Sequence, residues 1–271
     1  MPHPSECQLY LVNKDTLFSY NKSSEKFLKK VYSLFVASHY KNSPNDLQLL
    51  SDAPAHSILV LLGNLEKNDS GEIPDILCAI QVALEGDISK EKVVENTTRG
   101  IKPSGDLIPW TVGEQFMDRD FPKLNGLRVV RIAVHPQAHS KGYGSRALSL
   151  LQKFFAKELI GDDKLVSFYE YNKYQEGGAV RDLHESSDLK SKKKLKPLLK
   201  NLSEIDPPRM HYLGTSFGLT PELFHFWKKN EFHPVYLKQK PNDLTGEFSC
   251  IMLQDLKLRE AHDGLAISRQ L

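Results

Sequence analysis

The sequence predicts an α/β fold, a sheet flanked by helices, and three observations predict it. Runs dense in branched residues alternate along the chain with segments of helical periodicity. One uninterrupted apolar run, "LRVVRIAVHP" from Leu127 to Pro136, has the character of a strand buried on both faces. It passes through "QAHSKGYG" directly into a helix that places Ala147, Leu148, Leu151, Phe154 and Phe155 on one face. Strand, tight glycine turn and buried helix form one unit.

The other elements follow in order. "KSSEKFLKKVYSLFVASHY" spaces Phe27, Leu28, Val31, Leu34, Phe35 and Ala37 as an amphipathic helix, with Ser23 or Ser24 as its cap. "KNSPNDLQLLSDAPAH" reads as a loop around a short helical turn. "HSILVLLG" and "DILCAIQVALEG" read as strands joined by the polar "NLEKNDSGEIP". A polar helix spans Ile88 to Thr98, and "SGDLIPWTVGEQF" leads irregularly into another short one. Residues 157–208, with "KSKKKLKPLLK" and Gly177-Gly178, lack periodicity and read as an insertion with some helix and one mobile basic loop. "MHYLGTSFGL" is a strand, and "TPELFHFWKKN" is a helix with Thr220 as cap and Pro221 as first residue. "FHPVYLKQ" and "FSCIML" are strands joined by the turn-rich "KPNDLTGE".

Composition narrows the function classes. The chain has 271 residues, 40% hydrophobic and 26% charged, the balance of a globular domain with ample core. No apolar run reaches membrane-spanning length, and "MPHPSECQLY" has neither the basic segment nor the apolar core of a signal peptide. Cys7, Cys78 and Cys250 have no metal or disulfide spacing, which fits a reduced compartment and no metal centre. A net charge of +2 excludes a polybasic chain, so any nucleic-acid surface is local.

The chemistry centres on the glycine turn. Glycines let a ligand approach the backbone closely, and a helix start offers unpaired N–H groups and partial positive charge to a phosphate. A P-loop is excluded, because Gly-x-x-x-x-Gly-Lys-Ser/Thr occurs nowhere. The dinucleotide fingerprint is met only loosely by Gly142, Gly144 and Ala147. The frame His139, Ser140, Lys141, Gly142, Tyr143, Gly144 resembles the acetyl-coenzyme A turn of the GNAT acetyltransferases, Gln/Arg-x-x-Gly-x-Gly/Ala. A purely structural helix start is the competing reading. Ser145 and Arg146 add a hydroxyl and a cation where the anion would lie.

Longer strings sharpen the resemblance. "MPHPSEC", "VNKDTLFSY", "ASHYKNSPNDLQLLSDAPAH", "SGDLIPW", "VVRIAVHP", "GYGSRAL", "LGTSFGLTPELFHFWKKN" and the Pro234–Leu253 region together are similar to the eukaryotic RNA cytidine acetyltransferases. That resemblance covers nearly everything outside 157–208. It implies a mixed, mostly antiparallel GNAT sheet with a splayed central strand, as one acetyltransferase domain over 1–271. It also implies acetyl transfer from acetyl-coenzyme A to the exocyclic amine of cytidine in rRNA and tRNA, in the nucleus and nucleolus. Adaptor proteins, guide RNA and oligomers are further candidate partners, and no membrane is expected. ATP is implied for full-length members, whose helicase-like module this chain lacks. A lysine or N-terminal protein acetyltransferase, or a non-catalytic module binding acetyl-coenzyme A or RNA, are the alternative functions.

The resemblance also assigns roles. Ile132, Ala133 and Val134 would meet the pantetheine arm through backbone and also pack as core through their side chains, two roles that can hold together. His139, Ser140, Lys141, Gly142, Tyr143, Gly144, Ser145 and Arg146 would line the pyrophosphate. Lys229 would reach a coenzyme A phosphate, or only cap its own helix. His139 stands where the motif has Gln or Arg, and Trp227 where many members carry a proton-donating Tyr, a role closed to an indole. The weakly nucleophilic amine needs a base. His39 is the candidate, against a helix-capping histidine. Arg131 would orient that site or bind RNA phosphate, against a structural ion pair. Asp243 completes the catalytic set, although Asn-Asp after Pro is above all a turn signal. Lys190 to Lys200 would meet RNA backbone, against a solvated loop.

Overall fold

A computed structural model describes residues 1–38, 44–63, 75–100, 105–159, 161, 165–172, 196–243 and 245–256. In chain order the elements are β1 (Gln8–Val12), α1 (Lys14–Leu17), α2 (Lys22–Ser38), α3 (Pro44–Asp52), β2 (His56–Leu62), β3 (Cys78–Gly86), α4 (Lys90–Arg99) and α5 (Leu107–Gln115). There follow β4 (Asn125–Val134), α6 (Tyr143–Phe155), β5 (Val166–Ser167), α7 (Phe168–Asn172), β6 (Leu199–Asn201), β7 (Ile205–Asp206), β8 (Tyr212–Gly218), α8 (Pro221–Lys229), β9 (His233–Leu237) and β10 (Ser249–Asp255). Among the described residues the main sheet has the order β6-β1-β2-β3-β4-β8-β10-β9, with β5 and β7 paired separately. Every pairing in the main sheet is antiparallel except that of β4 with β8. The mixed, mostly antiparallel sheet expected from the resemblance is the one observed, with β4 inside it.

The helices cover the sheet because each hides an apolar stripe. Phe27, Val31, Leu34 and Phe35 of α2 are buried with Ile58, Val60 and Ala133. Burying side chains of that size contributes about 1.5–3 kcal/mol each. On the opposite face Ala147, Leu148, Leu151, Phe154 and Phe155 of α6 pack with Ile80, Val82, Leu127 and Val129. A smaller cluster joins Ile108 and Val112 of α5 to Tyr212, Ile251 and Leu253. Strands β3 and β4 are sandwiched, which is why they read as continuous apolar runs.

A β-bulge decides which side chains of β4 point where. Gln81 pairs with Arg131 but Val82 with Val129, leaving Val130 as an extra residue. Leu127 and Val129 pack on the α6 side before the bulge, and Ile132 and Val134 do so after it. Arg131 and Ala133 are thereby turned to the α2 side.

Three sequence expectations need correction. β1, buried between β6 and β2, has no counterpart among the expected elements, because its short apolar run acquires its identity from pairing with residues far along the chain. α3 is a helix of nine residues rather than a single turn within a loop. The described flanks of 157–208 are structural: Phe168, Tyr171, Leu202 and Ile205 enter the main core, and β6 pairs with β1. Most of the basic run, residues 190–195, lies outside the described residues.

Candidate active site

The site begins where two neighbouring strands part. β4 and β8 are paired from Gly126 with Tyr212 to Val129 with Thr215, and no further. Both run on, β4 to Val134 and β8 to Gly218, while the β3–β4 ladder continues to Cys78 with Val134. The His135 N–H donates to the Leu77 carbonyl at 2.9 Å, so Val134 is a pair that makes no hydrogen bond toward β3. Alternation then turns the N–H and C=O groups of Val134 and Ile132 toward the gap beside β8. Ala133 faces β3 with its backbone and the α2-side core with its methyl group. Of the three expected pantetheine contacts, two face the gap.

The turn after β4 is built for its glycines. Pro136–Ala138 form a 3₁₀ turn, and Ser140 (φ 57°) and Gly142 (φ 89°) adopt left-handed conformations before α6. Gly142 caps α6 without any side chain, and a Cβ there would meet nothing nearer than Pro4 at 4.0 Å. The first α-helical bond runs from the Arg146 N–H to the Gly142 carbonyl at 2.9 Å. The N–H groups of Tyr143, Gly144 and Ser145 precede it, at the positive end of a thirteen-residue helix. A helix start of this kind can receive an anion, and it adjoins the splayed edge. Gly144 has a different reason to be glycine: a Cβ would stand 3.3 Å from both Phe226 of α8 and Val134. That seam closes α6 onto the end of β4.

The other expected cofactor residues divide. His139 Nε2 bonds the Val134 carbonyl at 2.9 Å, so its ring sits on the splayed edge itself. The Lys141 ammonium donates to the Gln137 carbonyl at 2.8 Å. Tyr143 is buried, with its hydroxyl donating to the Pro2 carbonyl at 2.7 Å. Arg146 donates to the carbonyls of Ser5 at 3.2 Å and Cys7 at 3.4 Å, so its guanidinium holds the N-terminal segment against α6. Lys229 is exposed on α8, three residues beyond Phe226 and on the same helical face. Trp227 is a core residue at 3% exposure, ringed by Phe217, Phe226 and Phe232.

Two of the catalytic candidates, Arg131 and Asp243, lie among the described residues. Arg131 projects from the other face of β4 and pairs with Asp46 of α3 at 2.7 Å, each side chain 15% exposed. The pair pins α3 to the central strand. Asp243 is exposed in the β9–β10 connection, which the strand directions bring to the end of the sheet where β4 terminates. His39 lies outside the described residues, between Ser38 of α2 and α3. Neither Phe226 nor Asp46 stands out in the sequence as a site residue; the only trace of Phe226 is the aromatic run "LFHFW".

The cysteines near the gap do not supply a nucleophile. Cys78, the ladder partner of Val134, is fully buried, and desolvation pushes its thiol up. Burial also raises Cys7, against a smaller opposing effect of the Arg146 cation. Neither is a thiolate at neutral pH.

Residues 30–257 match the family model described as GNAT acetyltransferase 2. Over 265 residues the chain is 51% identical to the RNA cytidine acetyltransferase of Saccharomyces cerevisiae (strain ATCC 204508 / S288c), covering 96% of this chain and 25% of that protein. Against the Homo sapiens protein of that name identity is 52% over 256 residues, covering 94% and 25%. The Achlya ambisexualis protein of that name is 52% identical over 262 residues, covering 94% of this chain and 69% of that protein. The chain thus spans about a quarter of the length of the yeast and human relatives.

Proposed function

The chain belongs to the GNAT acetyltransferase 2 family, and from that premise we propose that it is the acetyl-transferring part of an RNA cytidine acetyltransferase. The observation that carries the proposal is the parting of β4 from β8 beyond Val129 and Thr215, immediately upstream of the glycine turn into α6. The backbone groups of Ile132 and the N–H of Val134, which have no strand partner on the β8 side, suit a pantetheine arm made of amides. The exposed N–H groups of the first turn of α6 suit a pyrophosphate. Bound there, acetyl-coenzyme A supplies an activated acetyl thioester. The N–H groups at the gap are donors for the oxygen that gains charge during acyl transfer. With Cys7 and Cys78 held as thiols, direct attack by the acceptor amine is favoured over an acetyl-cysteine intermediate.

The acceptor is a cytidine of RNA, as the names of the relatives suggest, and in this proposal it is the exocyclic amine of a cytidine in rRNA or tRNA. His39 takes its proton, Arg131 holds the acceptor face of β4 in register with α3, and Asp243 lies in the connection beside the same mouth. ATP and the nucleolar setting belong to the longer protein in this proposal.

The test is to incubate the chain with radiolabelled acetyl-coenzyme A and either RNA or histone, with and without ATP. Label on RNA cytidine supports the proposal. Label on histone identifies a protein acetyltransferase, and label on neither, with acetyl-coenzyme A or RNA still bound by calorimetry, identifies a binding module. His39→Ala should lower turnover roughly a hundredfold or more while leaving acetyl-coenzyme A affinity intact. Unchanged turnover in a folded mutant removes His39 from the chemistry.

A further inference from the structure

α2 carries its charges in a way that a merely solvated helix has no reason to adopt. Its buried stripe of Phe27, Val31, Leu34 and Phe35 leaves Lys22, Lys26 and Lys29 on the opposite, exposed side. At 1.5 Å of rise per residue these three ammonium stems form a ridge about 10 Å long. Lys26 has like-charged neighbours at Lys22, Lys29 and Lys30, in the i,i+3 and i,i+4 relations where like charges repel. Lys22 stands in the first turn, where the helix dipole disfavours a cation. The single carboxylate of α2, Glu25, lies beside this ridge and leaves the cations in excess. Among the described residues Lys30 finds a carboxylate, Asp75 at 3.2 Å, whereas the ammonium groups of Lys22, Lys26 and Lys29 have no ion pair or hydrogen bond.

α4 of the same chain shows the ordinary solution. It interleaves Lys90, Glu91, Lys92, Glu95 and Arg99, and closes an Arg99–Glu95 pair at 2.8 Å. The cationic excess of α2 therefore stands out against a helix in the same solvent. α2 packs on β3 and β4, and Asp46 of α3 is held by Arg131 of β4 beside the gap.

We propose that the solvent face of α2, Lys22, Lys26 and Lys29, is a docking ridge for the phosphate backbone of the RNA that delivers its base to the gap between β4 and β8. This rests on the reading of the chain as acting on RNA, and adds the surface that holds the strand beyond the reacting nucleotide. Excess cations are retained there because a polyanion neutralises them and releases its counterions. The side chains select charge and not sequence.

The experiment is fluorescence anisotropy with a fluorescein-labelled RNA hairpin bearing a cytidine loop, titrated with the chain between roughly 50 and 200 mM salt. Wild type is compared with the K22Q/K26Q/K29Q variant and with K90Q/K92Q on α4 as a charge control. Three lost phosphate contacts should weaken binding at least about tenfold at low salt and flatten the slope of log K against log salt by about 2–3. K90Q/K92Q should retain the wild-type slope, and calorimetry should give all three proteins the same acetyl-coenzyme A affinity. The proposal is overturned if the α2 variant keeps the wild-type slope, if wild type does not bind the hairpin, or if phosphatidylserine vesicles and not RNA respond to the substitutions. A lysine-dependent slope without acetyl label on RNA keeps the ridge and removes the proposed reaction. Labelled RNA with an unchanged slope does the reverse.

Discussion

Gly144 is the residue at which the turn is least forgiving. Its sequence context suggests that a side chain there would enter the pyrophosphate space. The geometry gives a second reason, because a Cβ would press on Phe226 and Val134 at 3.3 Å and pry α6 from the end of β4. Gly144→Glu should weaken acetyl-coenzyme A binding by at least tenfold, about 1.4 kcal/mol, and lower the melting temperature as well. Calorimetry showing wild-type affinity in a folded mutant would refute the cradle. Gly142 differs: space is open around it, and its φ of 89° is what requires glycine, at a cost of about 1 kcal/mol for Ala. Arg146 and Arg131 show how far a cation's role depends on its partner. The first is held by carbonyls 139 and 141 positions away, the second by a carboxylate 85 positions away.

At the scale of elements, β4 works because it does two jobs along its length. Its first half is paired on both sides and fixes the sheet, whereas beyond the bulge at Val130 it is paired on one side only. The bulge keeps Ile132 and Val134 packed toward α6 and turns Arg131 to Asp46, so one strand serves both faces of the gap. The N–H groups of Ile132 and Val134 have no strand partner to shield them. Acetyl-coenzyme A should therefore slow amide exchange in peptides spanning 131–135 and 143–146, and leave β2 unchanged. Protection that extends equally to β2, or no protection of either peptide, would count against cofactor binding at the splay.

For the molecule as a whole, the end of the sheet opposite the gap carries buried charge. Glu85 accepts the Ile108 N–H at 3.0 Å and the Arg128 guanidinium, pinning α5 to β3 and β4. Gln81, farther along β3 on the same face, bonds the His56 ring at 2.9 Å. Burial first, then the Arg128 and Lys14 cations, lower the pKa of His56 from 6.5 to about 4. Because the folded form takes up this proton less readily than the unfolded chain, stability is full above pH 6.5 and declines as pH falls from 6.5 toward about 4. Urea midpoints should fall between pH 7 and pH 5, and His56→Gln should flatten that fall. Equal pH dependence in the two proteins would show that His56 does not set it.

What the sequence determined by itself was whatever depends on near neighbours. Helical periodicity located α2, α6 and α8, and Thr220 caps α8 through the Leu223 N–H at 3.3 Å. The glycine turn was legible because a left-handed backbone at Gly142 restricts the residue type locally. The tertiary structure alone decided β1, which is a strand because β2 and β6 lie on either side of it. It alone decided the bulge at Val130, and with it which face Arg131 reaches. It assigned the guanidinium of Arg146 to the N-terminal segment and brought Phe226 against Gly144. Pairing, register and ion pairs join residues that the sequence separates by tens of positions, whereas propensity, capping and turn chemistry act within one turn of chain.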